Sequence, residues 1–453
     1  MVAMNTSFFG ELLQSITDRG RSLMERRRSP TAHSESLIGG CEELLSGRGE
    51  ASGVALAREI LTRYSQSPVQ PRVAFFEALA SRFGPDRKRL ERAVAAWQQD
   101  PTDANARELH EASEPRRQEL FRRLNLAPAG TAALVAIRDQ LLDALPERPD
   151  LNVVDNDFVH LFSSWFNRGF LVLRRIDWST PAIILEKIIR YEAVHEIRDW
   201  EDLRRRIDPP DRRCYAFFHP ALVDEPLIFV EVTLTREMPA AISPILAQDR
   251  DIMDPERATT ATFYSISNCQ RGLSGVTFGH FLIKQVAEEI SRELPALTTF
   301  VTLSPVSGFA DWVAAERDNP NSTIFDSRDR AVLVGLDGIE WWLDEDVADA
   351  LREPLLRAAA YYFLAARTAR GTPRDSVARF HLGNGARLER INWLADTSPK
   401  GIRQSLGIMV NYLYDLDEIE KNHEAYAETR TIVASSAVRR LAHVPLELTP
   451  AAG

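Results

Sequence analysis

A change of periodicity near residue 165 is the strongest constraint on what this 453-residue chain can fold into. From residue 5 to about 165, apolar residues recur at helical spacing, as in Phe9, Leu12, Leu13 and Ile16, and again in Val54, Leu56, Ile60 and Leu61. Gly47-Arg48-Gly49, Gly84-Pro85-Asp86 and Ala127-Pro128-Ala129-Gly130 punctuate the stretch, and no alternating strand pattern interrupts it. No fixed period runs through these helices, so a solenoid is not expected. After Asn167-Arg168-Gly169 the pattern turns to strands, at Phe170 to Leu173, Tyr215 to Phe218 and Leu227 to Leu234, with a helix over Ala182 to Tyr191. The second and third strands are rich in β-branched and aromatic residues, and a Pro- and Asp-containing connector suggests a hairpin-like link. The length exceeds what one core usually organises. The expected architecture is therefore α+β multidomain, with an all-helical domain over 1–165 followed by an α/β domain over 166–453.

Composition narrows the class. Hydrophobic residues at 44% and charged residues at 26% are ordinary for globular domains, so both should have real cores. A net charge of -10 argues against a general affinity for nucleic acid, and the small clusters Arg26 to Arg28 and Arg204 to Arg206 read as solvated helix faces. Cys41, Cys214 and Cys269 form no CxxC pair, which points to a reducing compartment. The N-terminus carries Glu11 and lacks a secretion signal, no run of about 18 apolar residues occurs, and the last residues are not Ser-Lys-Leu. A cytoplasmic location without membrane insertion is the expectation. No metal is expected: HExxH is absent, His195, His219 and His280 lack ligand spacing, and Asp157 with His160 reads as capping and surface pairing.

The most informative stretch begins with a strand at Thr262 to Ile266. A Gly-rich turn follows from Gln270 to Gly279, then an amphipathic helix from Phe281 to Glu293, then a strand at Thr299 to Leu303, which together make a βαβ-like unit. Leu282, Ile283, Val286 and Ile290 form the core face of that helix. Glycines let a ligand approach closely, and outward N–H groups at a helix start favour an anion such as pyrophosphate. The turn is neither GxxxxGK[ST] nor GxGxxG, and a plain tight turn also accounts for its glycines. Its position between strand and helix resembles the coenzyme A grip of the N-acetyltransferase superfamily, which places coenzyme A ahead of nucleotides.

Two residues stand out for chemistry. Ser304 lies at a strand's carboxyl end, where open α/β folds bind ligands, and Pro305 restricts its backbone. From position alone a turn or capping role is the simpler reading, and no GxSxG surrounds it. His381 precedes the Asn384-Gly385 turn, and an imidazole titrating near 6.5 suits acid/base work. A structural or surface histidine fits the same position.

Taken together, Phe263-Tyr264-Ser265-Ile266-Ser267, Gly272-Leu273-Ser274-Gly275, Leu282-Ile283-Lys284, Leu303-Ser304-Pro305, Gly308-Phe309, Phe380-His381-Leu382-Gly383-Asn384-Gly385-Ala386 and Arg390-Ile391-Asn392-Trp393 closely resemble the malonyl-CoA decarboxylase family. The resemblance is dense from about Ala261 to Tyr414. It implies a carboxy-lyase with a helical assembly domain and an acetyltransferase-like (GNAT-like) catalytic domain. Carried over, the catalytic serine falls on Ser304, the catalytic histidine on His381 and a supporting tyrosine on Tyr414. The coenzyme A contact segment falls on Ser274, Gly275, Val276, Thr277, Phe278, Gly279 and His280. Thr277 stands where the family pattern has an acidic residue, and Pro305-Val306-Ser307 replaces Pro-Ile-Pro.

Loss of CO2 from a malonyl thioester leaves charge shared between C2 and the thioester oxygen, so catalysis needs donors near that oxygen and a proton for C2. The thioester is its own electron sink, and no cofactor is expected. On this reading His381 protonates C2, Ser304 orients the carboxylate or the thioester, and Tyr414 holds the imidazole. The resemblance also implies self-association through the helical domain, as a homotetramer. Competing readings are a GNAT-type acyltransferase, which needs an acceptor, and an inactive coenzyme A-binding regulator.

Overall fold

The computed structural model describes residues 37–47, 49–276 and 282–442. Phe9, Leu12, Leu13, Ile16 and the Arg26 to Arg28 cluster lie outside them. Eight α-helices follow one another in the N-terminal part of the described chain: α1 (Leu37–Leu45), α2 (Glu50–Gln66), α3 (Val69–Ser81), α4 (Arg87–Gln99), α5 (Asp103–Ser113), α6 (Arg116–Asn125), α7 (Gly130–Ala144) and α8 (Asn152–Trp165). The local chemistry of the helix starts is visible in the sequence. Asp86 accepts from the Lys88 and Arg89 amides to open α4, and Thr102 does the same for α5 through Asn105. Aromatic residues fill the core, where Phe121 stacks on Phe158 at 4.1 Å and Phe158 leads on to Phe162 and Phe166. Asp157 is neither a cap nor a surface residue. It is buried on α8, paired with the Arg117 guanidinium and accepting from Gln118 Nε2 at 2.5 Å. An internal charge pair of this kind stays folded because both partners keep their hydrogen bonds.

The chain divides into two compact units, and the division is not a single cut near residue 165. The helical unit runs to Val172 and also takes Phe218–Glu225 and the segment from Gln270. Specific bonds hold these excursions. His219 Nε2 lies 3.1 Å from the Trp165 carbonyl, and the Arg138 guanidinium donates to the Gly272 carbonyl at 2.8 Å. Arg271 donates to the Asp139 and Asp143 carboxylates.

The second unit is built on an eight-stranded sheet with strands β1 (Val172–Ile176), β2 (Arg212–Phe218), β3 (Pro226–Thr235), β4 (Thr260–Asn268), β5 (Thr299–Thr302), β6 (Ser304–Pro305), β7 (Arg387–Asn392) and β8 (Met409–Leu413). The order is β1-β2-β3-β4-β5-β8-β6, with β7 also on β8. β3 and β4 are antiparallel, and a register shift between Glu231 and Val232 leaves Tyr264 as an extra residue. β4 and β5 are parallel, so their link must cross over, and the helix α11 (Leu282–Glu293) lies within that link. β8 runs antiparallel to β5, β6 and β7. The helices α9 (Ala182–Tyr191), α10 (Trp200–Ile207), α12 (Phe309–Asp318), α13 (Glu345–Leu364), α14 (Ser376–Gly383) and α15 (Ile419–Thr429) complete the main elements. A helical region followed by a mixed sheet with a βαβ crossover between β4 and β5 is the layout expected from the sequence.

Two local readings change. The strand expected at Phe170 to Leu173 begins at Val172, because Asn167 accepts from the Gly169 amide and tightens Arg168–Phe170 into a 3-10 turn. His381, placed ahead of the Asn384-Gly385 turn, lies in the last turn of α14. Arg206 is not on a solvated face: it is buried, with its guanidinium 3.2 Å from the Glu231 carboxylate and donating to the His195 and Glu196 carbonyls. Arg204 is exposed, because two residues along a helix turn a side chain to the other side.

Candidate active site

Strand alternation assembles the site. Across β5 and β6, Thr302 and Ser304 share one face, while Leu303 between them packs with Tyr264 and Met409 on the other. Tyr412 and Tyr414 have the same relation at the end of β8, where the Tyr414 amide extends the pairing by donating to the Phe300 carbonyl at 2.8 Å. The histidine comes from α14. Asp375 caps that helix, accepting from the Ala378 amide at 2.6 Å, and the Asn384 amide closes its far end on the Phe380 and His381 carbonyls.

These elements bring Ser304, His381 and Tyr414 together. Ser304 Oγ lies 3.3 Å from His381 Nε2, and Tyr414 OH lies 2.7 Å from His381 Nδ1. Ser304 also donates to Thr302 Oγ1 at 3.0 Å. The Tyr412 ring stacks on the imidazole at 4.5 Å and 23°, with the Phe380 ring edge-on at 5.1 Å. His381 is only 2% exposed. Burial without a charged partner drives its pKa down to about 3, so the ring is neutral at physiological pH. Burial likewise pushes the Tyr414 hydroxyl well above its ordinary range and the Asp375 carboxyl up to about 6.

The Gly-rich turn behaves differently. Ser274 and Gly275 are exposed and Val276 is buried, but the Ser274 amide donates to the Arg271 carbonyl and the Val276 amide to the Leu273 carbonyl. Two N–H groups expected to face a phosphate are thus used inside the turn. Gly272 serves packing: a Cβ there would meet the Val135 carbonyl oxygen at 2.1 Å. Gly275 is the open position, at φ +77° with no atom of the described residues within 4 Å of where a Cβ would stand. Thr277, Phe278, Gly279 and His280 lie outside the described residues, as does Phe281, where the helix was expected to begin. Among the described residues no group of three or more His, Cys, Asp or Glu side chains could hold a metal.

Thr302, Tyr412 and Asp375 also build the site, and reading the sequence did not single them out. The first two carry a detectable signal, since each lies two residues from a recognised site residue on a strand.

Comparison with known proteins settles the family. The model for the malonyl-CoA decarboxylase C-terminal domain matches residues 169–451, and that for the N-terminal domain matches 83–166. The chain belongs to the malonyl-CoA decarboxylase family. It is 38% identical over 348 residues to the mitochondrial malonyl-CoA decarboxylase of Anser anser anser, covering 72% of this chain and 69% of that one. With the Rattus norvegicus protein of the same name the figures are 35% over 427 residues, 89% and 85%. The crystal structure of malonyl-CoA decarboxylase from Rhodopseudomonas palustris shares 60% identity and superposes with a TM-score of 0.88, covering 91% of this chain and 100% of that one. For the Agrobacterium vitis family member the values are 56%, 0.86, 90% and 100%. Among the described residues no helix is long and apolar enough to cross a membrane.

Proposed function

We propose that this family member converts malonyl-CoA to acetyl-CoA and CO2 at the Ser304, His381 and Tyr414 cluster, with neither a metal nor an organic cofactor. The observation that carries the reading is a buried imidazole with a hydroxyl at each ring nitrogen. Decarboxylation spreads a localised carboxylate charge over C2 and the thioester oxygen, a change that a site shielded from water favours. The electron pair of the breaking C–C bond enters the enolate, CO2 departs, and the Nε2 proton of His381 passes to C2. The Tyr414 proton moves to Nδ1 as Nε2 loses its own. A solvent proton on Nε2, with return of the Nδ1 proton to Tyr414, resets the site. Ser304 lies beside Nε2, close enough to orient the substrate carboxylate or thioester. The thioester stores the charge throughout, which removes the need for a cofactor sink.

Coenzyme A is proposed to contact Ser274 to His280; the exposure and positive φ of Gly275 support a close backbone approach there. The helical unit is proposed to assemble a homotetramer, and light scattering showing a monomer would remove that role. The cytoplasm is the proposed compartment, checked by fractionating cells that express the chain. The activity test is incubation of pure protein with malonyl-CoA and EDTA, without acceptor or ATP, followed by mass spectrometry. Acetyl-CoA should accumulate catalytically. Product only on adding a metal, or only with an acyl acceptor, would overturn the reading.

A further inference from the structure

The direction of the hydrogen bonds through the site is set by a residue with no assigned role. Thr302 is fully buried, and its Oγ1 accepts twice, from the Tyr412 amide at 3.1 Å and from the Ser304 hydroxyl at 3.0 Å. Its backbone is held as well: Asn411 Nδ2 donates to the Thr302 carbonyl at 2.8 Å, and Asn411 Oδ1 accepts from Asn392 at 2.7 Å. A serine hydroxyl has one proton. With that proton on Thr302, Ser304 can only accept from His381, so the 3.3 Å contact requires a proton on Nε2. A neutral imidazole carries one ring proton, which leaves Nδ1 bare and makes Tyr414 the donor across 2.7 Å.

We propose that Thr302 is a positioning residue that fixes His381 in its Nε2–H tautomer by turning the Ser304 hydroxyl proton away from the ring. The chain of donors then runs from Tyr414 O–H to Nδ1, from Nε2–H to Ser304 Oγ, and from Ser304 O–H to Thr302 Oγ1. This is the reverse of a nucleophilic serine–histidine pair, in which the serine donates to a bare ring nitrogen. Ser304 keeps its proton and forms no acyl-enzyme, while His381 holds its proton on Nε2, the nitrogen from which the proposed reaction delivers it to C2. The consequence for turnover rests on the proposed decarboxylase reading; the wiring itself does not.

The test compares the wild type with Thr302→Val, which keeps shape but removes the acceptor, and Thr302→Ser, which restores it. Proteins labelled with 15N-histidine report each ring's tautomer by two-bond proton–nitrogen spectra, with His381 identified by the signal lost in His381→Asn. Wild type and Thr302→Ser should show the Nε2–H form, and Thr302→Val should move toward Nδ1–H as the released serine proton turns to Nε2. In malonyl-CoA decarboxylation, kcat of Thr302→Val should fall about 10²-fold with KM within about two-fold, and Thr302→Ser should stay within about three-fold of wild type. An Nδ1–H tautomer in the wild type, or an unchanged tautomer in folded Thr302→Val, overturns the proposal. Because the spectra need no substrate, they decide the wiring even if the wild type fails to decarboxylate malonyl-CoA, a failure that would sink the function reading alone.

Discussion

The Ser304 and His381 cluster and the Gln270 to Val276 turn solve the problem of presenting polar groups in opposite ways. The cluster uses side chains of fixed strand and helix positions, buried until no charge survives on the imidazole. The turn is exposed at Ser274 and Gly275, and it consumes some of its own backbone donors. A buried side-chain site is rigid because packing leaves one rotamer, and its chemistry is altered by single substitutions. A backbone site depends on φ and ψ, so only conformational or charge-inserting changes reach it.

The largest test of that contrast is a double substitution in the buried cluster. His381→Asn keeps a hydrogen-bonding side chain but supplies no titrating proton, and should cost about 10⁴-fold in turnover. Ser304→Ala alone should cost about 10²-fold, because it removes the oxygen that accepts and aims the His381 Nε2 proton. The double variant should match His381→Asn, because residues acting as a unit are strongly non-additive. Multiplied losses in steady-state kinetics would mean that the two act separately. A smaller effect is expected at the turn. Gly275→Asp should weaken acetyl-CoA binding about tenfold by setting a carboxylate against phosphate, with kcat nearly unchanged. Unaltered affinity in calorimetry, with the protein folded, would place the phosphates elsewhere.

The same contrast explains what could be read from the sequence. The helical region, the strand–turn–helix–strand unit and Ser304 at a strand end follow from periodicity and punctuation, which are local properties. Thr302 and Tyr412 share faces with Ser304 and Tyr414, but their meeting depends on β8 joining β5 and β6 across more than a hundred residues, which no local pattern states. Glycines at 272 and 275 look alike in sequence, yet one is demanded by the Val135 carbonyl and the other has none of the described residues near its Cβ position. Likewise Arg204 and Arg206 differ in burial because the helix turns one to solvent and the other toward Glu231 on β3, a meeting that depends on the tertiary fold.

Burial of His381 also makes a smaller, thermodynamic prediction. Its folded pKa is depressed to about 3 from the ordinary 6.5, so between these values the unfolded chain binds a proton that the folded one refuses. Stability from this group is complete above pH 7 and declines as pH falls below about 6.5. Raised acid groups such as Glu231, at about 7, act in the opposite direction, so the comparison must be with His381→Asn rather than with pH alone. In urea titrations the wild type should lose stability on acidification faster than the variant, and the two should run parallel above pH 7. Parallel curves down to pH 4 would show that His381 is not held neutral in the fold.

The most direct measurement of the central claim, that His381 supplies the proton to C2, is acetyl-CoA formation from malonyl-CoA in deuterated water by wild type and His381→Asn. The account predicts that the wild type yields acetyl-CoA carrying one solvent deuterium on C2. His381→Asn should bind acetyl-CoA with unchanged affinity and form almost no product. Singly deuterated acetyl-CoA formed by His381→Asn at near wild-type rate and neutral pH would contradict it, since another group would then protonate C2.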